Sequence, residues 1–215
     1  DIRDGLAVDL EPVRFDYQPG RFAVVDNGHT VQVNLDDAGA MVIDGVPFKL
    51  VQFHFHAPSE HTLAGAAYPL EYHLVHKSEA GELAVVGVLV QRGAENELLK
   101  PVFDELPAQG ETIEGAEPIN PLELLPANRT MVRYNGSLTT PPCTEHVRWH
   151  LMLTPLQMSK LQIARFMAKH PESRRPVQEV GDREIVVEVD RTTDVEGAQG
   201  DAAGDGEAAG HADGA

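Results

Sequence analysis

A mainly β single domain with a few short surface helices is the fold class this sequence predicts, on three observations. Period-two alternation of apolar and polar residues recurs over 29–35, 48–56, 70–77 and 146–153, the spacing at which strand side chains sort onto opposite faces. β-branched residues crowd 184–189 in the same manner. Helix signals are sparse, and Pro, Gly and Asn fill the long connections around 111–129.

Taken along the chain, the first alternating run follows Asp26-Asn27-Gly28-His29, where Asn-Gly marks a turn. The second, over 48–56, places Phe53 and Phe55 on one face and Gln52, His54 and His56 on the other. In the third, Glu71, His73 and Val75 share a face while Tyr72 and Leu74 take the opposite one. A helix is expected near 95–106 despite Pro101, and Ser159-Lys-Leu-Gln162 is a capping-box pattern ahead of Ile163, Phe166 and Met167. The fourth run puts Val147 and Trp149 on one face of their strand.

Composition narrows the function. The 215 residues carry 17 Lys plus Arg against 34 Asp plus Glu, a formal charge of −17, which disfavours nucleic acid and anionic membrane surfaces as partners. No apolar run approaches the roughly 18 residues of a membrane span, and no basic and then apolar leader opens the chain. The single cysteine, Cys143, excludes a disulfide framework within these residues and zinc sites built from several thiolates, so a metal would be held by nitrogen or oxygen. Residues 1–190 read as the folded domain. Residues 191–215, acidic and rich in Gly and Ala, read as a disordered tail.

Of the ten histidines, His54, His56, His61, His73 and His76 fall within 23 consecutive residues. His54 and His56 point the same way from one strand, and pairing with the 70–77 strand brings His73 to them. Three neutral imidazoles without a fourth protein ligand describe a catalytic zinc site with an open position for water, whose pKa zinc lowers to about 7. Gln52 and Glu71, each two residues before a ligand on the same face, are placed to orient His54 and His73. A competing reading remains at this point: His54-x-His56 and Glu60 have the spacing with which cupin barrels hold iron or manganese. In that reading Glu60 binds metal.

The later segment Tyr134-Asn-Gly-Ser-Leu-Thr-Thr-Pro-Pro-Cys143-Thr-Glu-His-Val-Arg-Trp149 has no use in a cupin. With Gln52-Phe-His-Phe-His-Ala-Pro-Ser-Glu-His-Thr62 and Glu71-Tyr-His-Leu-Val-His-Lys77, it resembles the α-class carbonic anhydrases, particularly bacterial ones, over residues 1–189. The resemblance implies a large twisted, mostly antiparallel central sheet. It also implies reversible hydration of CO2 to bicarbonate by a zinc-bound hydroxide, with ester hydrolysis as a side activity. His54, His56 and His73 match the zinc ligands. Thr139 matches the position whose hydroxyl accepts from the hydroxide and donates to the carboxylate that Glu60 matches.

By the same resemblance the substrate wall maps onto Val75, Val85, Leu138, Val147 and Trp149, with Thr140 beside it. His29 matches the proton shuttle and Asn27 a solvent-network position, while Gln32 stands where many relatives have Asn. His61 and His76 match positions that support the scaffold through buried hydrogen bonds, and Tyr134 and Arg175 match members of a buried network. The remaining histidines, His146, His150 and His170, read as structural or surface residues. Family members carry a further amino-terminal stretch before the segment matching Asp1, and in bacterial relatives a cysteine there bridges to the position of Cys143. The family points to a periplasmic or secreted monomer or homodimer. The reading from another class is a non-catalytic binding or zinc-buffering module of the same fold.

Overall fold

The structure is a computed structural model that describes residues 6–7 and 11–190, so the expected tail lies outside the described residues. Its strands are β1 (Leu6–Ala7), β2 (Arg14–Tyr17), β3 (Arg21–Asp26), β4 (Val31–Asp36), β5 (Gly39–Ile43), β6 (Val46–His56), β7 (Thr62–Leu63), β8 (Ala66–Ala67), β9 (Leu70–Ser78), β10 (Leu83–Arg92), β11 (Thr112–Glu114), β12 (Met131–Ser137), β13 (Glu145–Met158) and β14 (Val186–Glu188). Two helices join them, α1 (Lys100–Asp104) and α2 (Lys160–Lys169).

One twelve-stranded sheet runs in the order β1-β14-β12-β13-β10-β9-β6-β4-β3-β11, with β5 also on β6 and β2 on β5. Its pairings are antiparallel except β1 with β14 and β10 with β13. A mainly β domain on a mostly antiparallel sheet is therefore what the chain forms. One face of the central strands packs Phe53, Phe55, Tyr72, Leu74, Val86 and Val88 into the main core. The helices cover this face: Phe103 of α1 and Phe166 of α2 meet Phe55 at ring-centroid distances of 5.0 and 5.9 Å.

Strand β6 departs from strict alternation. Leu50 pairs with His76 but Gln52 pairs with Val75, so Val51 is an extra, exposed residue in a β-bulge. Phe48 and Leu50 are buried before it and Phe53 and Phe55 after it, a change from even to odd positions. A single alternating run over 48–56 would have put Phe48 and Leu50 on the histidine face. The bulge lets both ends of the strand bury apolar side chains.

The helix expected near 95–106 is reduced to Lys100–Asp104. Pro101 sits in its first turn, where a proline's missing N–H costs nothing, and Leu106 precedes Pro107, which favours extended backbone. Helix α2 starts as its sequence requires: the Ser159 side chain caps the Gln162 N–H, and Gln162 returns to the Ser159 N–H at 3.0 Å.

Two histidines outside the metal cluster are buried in the sheet. Tyr17 donates its hydroxyl proton to His76 Nε2 at 2.6 Å, and His76 Nδ1–H faces the Ala84 carbonyl at 3.3 Å, a scaffold role as expected. Burial pushes His76 down to about 4; burial and then the Arg133 charge push His150 to about 3. Both folded values lie below the unfolded 6.5, so the unfolded chain binds more protons at pH 4–6 and stability falls as pH falls. Urea denaturation at pH 7, 6 and 5 will therefore show a loss of roughly 1 kcal/mol per pH unit for each such histidine. His150→Leu will flatten the dependence, and an unchanged slope would contradict the assignment.

Candidate metal centre

Adjacent strands β6 and β9 bring the ligands together by register. His54 stands directly opposite His73, His56 opposite Glu71, and the row continues to Gln32 on β4 and Gly87 on β10. Ring centroids lie 5.0 Å apart for His54 and His56, 5.3 Å for His54 and His73, and 4.6 Å for His56 and His73. One nitrogen from each ring lies within 4.8 Å of the other two.

The second nitrogen of every ring is held. Gln52 Oε1 is 2.9 Å from His54 Nδ1, and Glu71 Oε1 is 2.8 Å from His73 Nε2, the two orienting contacts that spacing had suggested. His56 Nδ1 donates to the Ser173 carbonyl at 2.7 Å. Those bonds turn His54 Nε2, His56 Nε2 and His73 Nδ1 toward one another, and His56 Nε2 is buried with no hydrogen-bond partner. A buried imidazole nitrogen without a partner is costly unless something binds it, and His56 Nε2 converging with one nitrogen each of His54 and His73 makes a set that suits zinc.

Burial, and next the neighbouring His73, hold His54 well below the ordinary imidazole value; His56 is lowered by burial first as well. Burial opposes charge on His73 too, but the Glu71 carboxylate prevails and raises it. Glu71 is wholly buried and accepts from Glu60 N, His61 N, His61 Nδ1 and His73 Nε2 at 2.6–2.9 Å. Burial would raise its pKa, yet the His61 and His73 contacts hold it well below the carboxylate range. His61 Nε2 accepts from Tyr134 OH at 2.6 Å, so Tyr134, His61, Glu71 and His73 form one hydrogen-bonded chain, buried at its Glu71 and His73 end.

Glu60 is buried beside the triad. Its Oε1 accepts from the Arg175 N–H at 2.5 Å, and its Oε2 lies 3.9 Å from His73 Nδ1 with no hydrogen-bond partner. Thr139 lines the same cavity of about 100 Å³ as Glu60, His61, Trp149 and Arg175. Among the described residues no Thr139–Glu60 hydrogen bond is formed; the Arg175 amide is what holds Glu60.

Val85, Val147 and Trp149 form a small buried cluster with Val75 and Leu138 against it, so the five predicted wall residues come together, joined by Leu83 and Tyr134. Cross-strand pairs explain it: Val85 opposes both Val75 and Trp149. The Trp149 ring stands edge-on to His73 at 4.8 Å, which sets the wall beside the metal ligands. Thr140 is exposed, and its carbonyl accepts the Cys143 N–H at 2.9 Å. Cys143 is a half-buried free thiol.

His29 is exposed on the turn between β3 and β4, where Asn27 Oδ1 accepts the His29 and Thr30 N–H groups at 2.9 Å. A polar strip links that turn to the triad. Asn27 reaches Gln32 at 3.4 Å, Gln32 reaches Asn34 at 2.6 Å, and these two strand residues oppose His54 and Gln52.

A sequence model of the eukaryotic-type carbonic anhydrases matches residues 3–189. The chain belongs to this carbonic anhydrase family. A carbonic anhydrase of Nostoc sp. is 40% identical over 188 residues, 86% of this chain and 71% of that protein. The solved structure of the Photobacterium profundum α-carbonic anhydrase superposes with a TM-score of 0.83 at 43% identity, covering 86% of each chain. That of the Thermovibrio ammonificans enzyme, described as a complex with the inhibitor sulfanilamide, gives 0.82 at 42% identity over 85% of this chain and 82% of that one. The chain is thus a member of an enzyme family, and membership supports CO2 hydration.

Two contacts escaped the sequence: the Ser173 carbonyl on His56 and the Arg175 amide on Glu60 are backbone groups over 110 residues away, without a side-chain signature. Glu71→Gln removes the charge that four donors converge on, and zinc affinity will fall roughly 10- to 100-fold by chelator competition. Unchanged affinity would show that Glu71 does not tune the site.

Proposed function

We propose that this chain hydrates CO2 reversibly to bicarbonate and a proton, with zinc held by His54 Nε2, His56 Nε2 and His73 Nδ1. The observation that carries this reading is the set of three imidazoles, each fixed at one nitrogen and converging with the other. When bound, zinc supplies the Lewis acidity that makes a water molecule acidic near neutral pH. The protein residues do the rest.

Gln52, Ser173 and Glu71 fix the ring orientations and tautomers, so the ligand nitrogens need no reorganisation on binding. The apolar cluster of Val75, Val85, Leu138, Val147 and Trp149 takes the small apolar substrate beside His73. Glu60 Oε2, without a partner while Oε1 accepts from the Arg175 amide, is available to accept the Thr139 hydroxyl proton once that side chain turns toward it. Thr139 oxygen can then only accept, so it orients a group that has a proton to give. Against the cupin-like role for Glu60, the side chains whose ligand atoms converge within 4.8 Å are His54, His56 and His73, a group that does not include Glu60.

Hydration yields one surplus proton per turnover, and the Asn27, Gln32 and Asn34 strip leads from the His54 row to the turn of His29, which passes it to bulk water. The hydration site also suits activated esters as a side reaction and sulfonamide anions as inhibitors. CO2 and bicarbonate are then its small-molecule partners.

Stopped-flow CO2 hydration by the zinc-loaded protein tests the reading against His73→Ala. The variant will lose stoichiometric zinc and about 10³-fold or more in kcat/KM. Equal rates would remove the metal assignment, whereas tight zinc binding in the parent without hydration would point to a binding module. Glu60→Gln, which offers protons where the carboxylate only accepts, will lower kcat by roughly 10²-fold with zinc retained. A Glu60→Gln protein that loses its zinc would instead mark Glu60 as a ligand.

A further inference from the structure

Asp26 ends β3 immediately before the Asn27-Gly28-His29 turn and is 3% exposed, an unusual place for a carboxylate. Its Oδ1 accepts from the Gly28 N–H at 3.0 Å and from His170 Nε2 at 3.2 Å, and Lys169 Nζ stands 3.6 Å from Oδ2. Lys169 is in the last turn of α2 and His170 is its C-cap, so two cationic or polar donors at a helix C-terminus face one buried acid. Burial alone would raise Asp26, but the Gly28 amide and the His170 and Lys169 side chains keep it below the usual carboxylate range.

The helix end on which Asp26 is anchored is itself fixed to the strand of the metal ligands. His170 lies on Phe166 at a centroid distance of 5.5 Å, and Phe166 packs on Phe55, the residue between His54 and His56. At the other end of the turn, the Thr30 hydroxyl donates to the Phe55 carbonyl. Gln109 backs the turn from a third side, for a Cβ on Gly28 would come within 2.5 Å of its Nε2.

We infer that Asp26 is a positioning residue for proton transfer: by tying the 27–30 turn to the end of α2, it holds His29 at a set place relative to His54 and His56. This rests on the reading of His29 as the proton-transfer group. The turn alone does not require a charge, since an Asn at 26 would still accept the Gly28 N–H. The carboxylate is needed for the tie to Lys169, which faces Oδ2, and its charge strengthens the bond that His170 makes to Oδ1.

Asp26→Asn, His170→Ala and His29→Ala are compared with the parent as zinc-loaded proteins in weak buffer. Both Asp26→Asn and His170→Ala will lower kcat roughly three- to tenfold, a fraction of the 10²–10⁴ a well-placed acid–base group supplies. They will leave kcat/KM unchanged, because that ratio covers steps before the proton departs. Added imidazole will restore kcat, and amide hydrogen exchange over 27–30 will be faster in both variants, with or without zinc. Parallel loss of kcat and kcat/KM without rescue would reduce Asp26 to a stability role. Unchanged kcat in both variants beside an impaired His29→Ala would overturn the positioning role alone. Full turnover by His29→Ala would instead overturn the proton-transfer reading, and the role of Asp26 with it.

Discussion

The register of β6 against β9 is the constraint on which the rest of the site depends. His54 and His73 are cross-strand partners, and His56 follows one pleat later on the same face, so three imidazoles meet without any loop having to find its place. The bulge at Val51 sets the phase, since a one-residue slip would move every side chain beyond it to the other face. Phe53 and Phe55, locked into the core by Tyr72, Phe103 and Phe166, hold the strand in that phase. Apolar burial on one face thereby becomes ligand geometry on the other.

Hydrogen bonds around the ligands convert this placement into chemistry. A buried carboxylate such as Glu71 is expensive to desolvate, and the structure offsets the cost with four donors, two of them imidazoles. Neutrality on His54 and His56 follows from burial, which leaves lone pairs for a metal rather than protons for solvent. The apolar wall and the polar strip lie on different sides of the histidine row, Trp149 against His73 and Gln32 against His54. In the proposed function, substrate and departing proton then have separate surroundings.

Much of this was legible because strand chemistry is local. Alternation alone paired Gln52 with His54 and Glu71 with His73, and the family resemblance named the five wall residues that cluster in the fold. What escaped was non-local or carried by backbone. Residues 83–90 form most of β10, buried on both faces, where a strand shows no alternation to read. The parallel pairing of β10 with β13, the hold of Ser173 on His56 and the anchoring of Asp26 on His170 join residues far apart in sequence. Helix α1 is shorter than the 95–106 expected, held between Pro101 in its first turn and Pro107 just past its end.

The central claim is that three imidazoles, and no protein carboxylate, hold the metal. X-ray absorption spectroscopy of the zinc-loaded protein at the zinc edge tests it most directly. The account predicts three imidazole nitrogens at about 2.0–2.1 Å and a fourth light atom that an added sulfonamide replaces. A fourth protein ligand, or a shell altered by Glu60→Gln in the manner of a lost carboxylate, would contradict it.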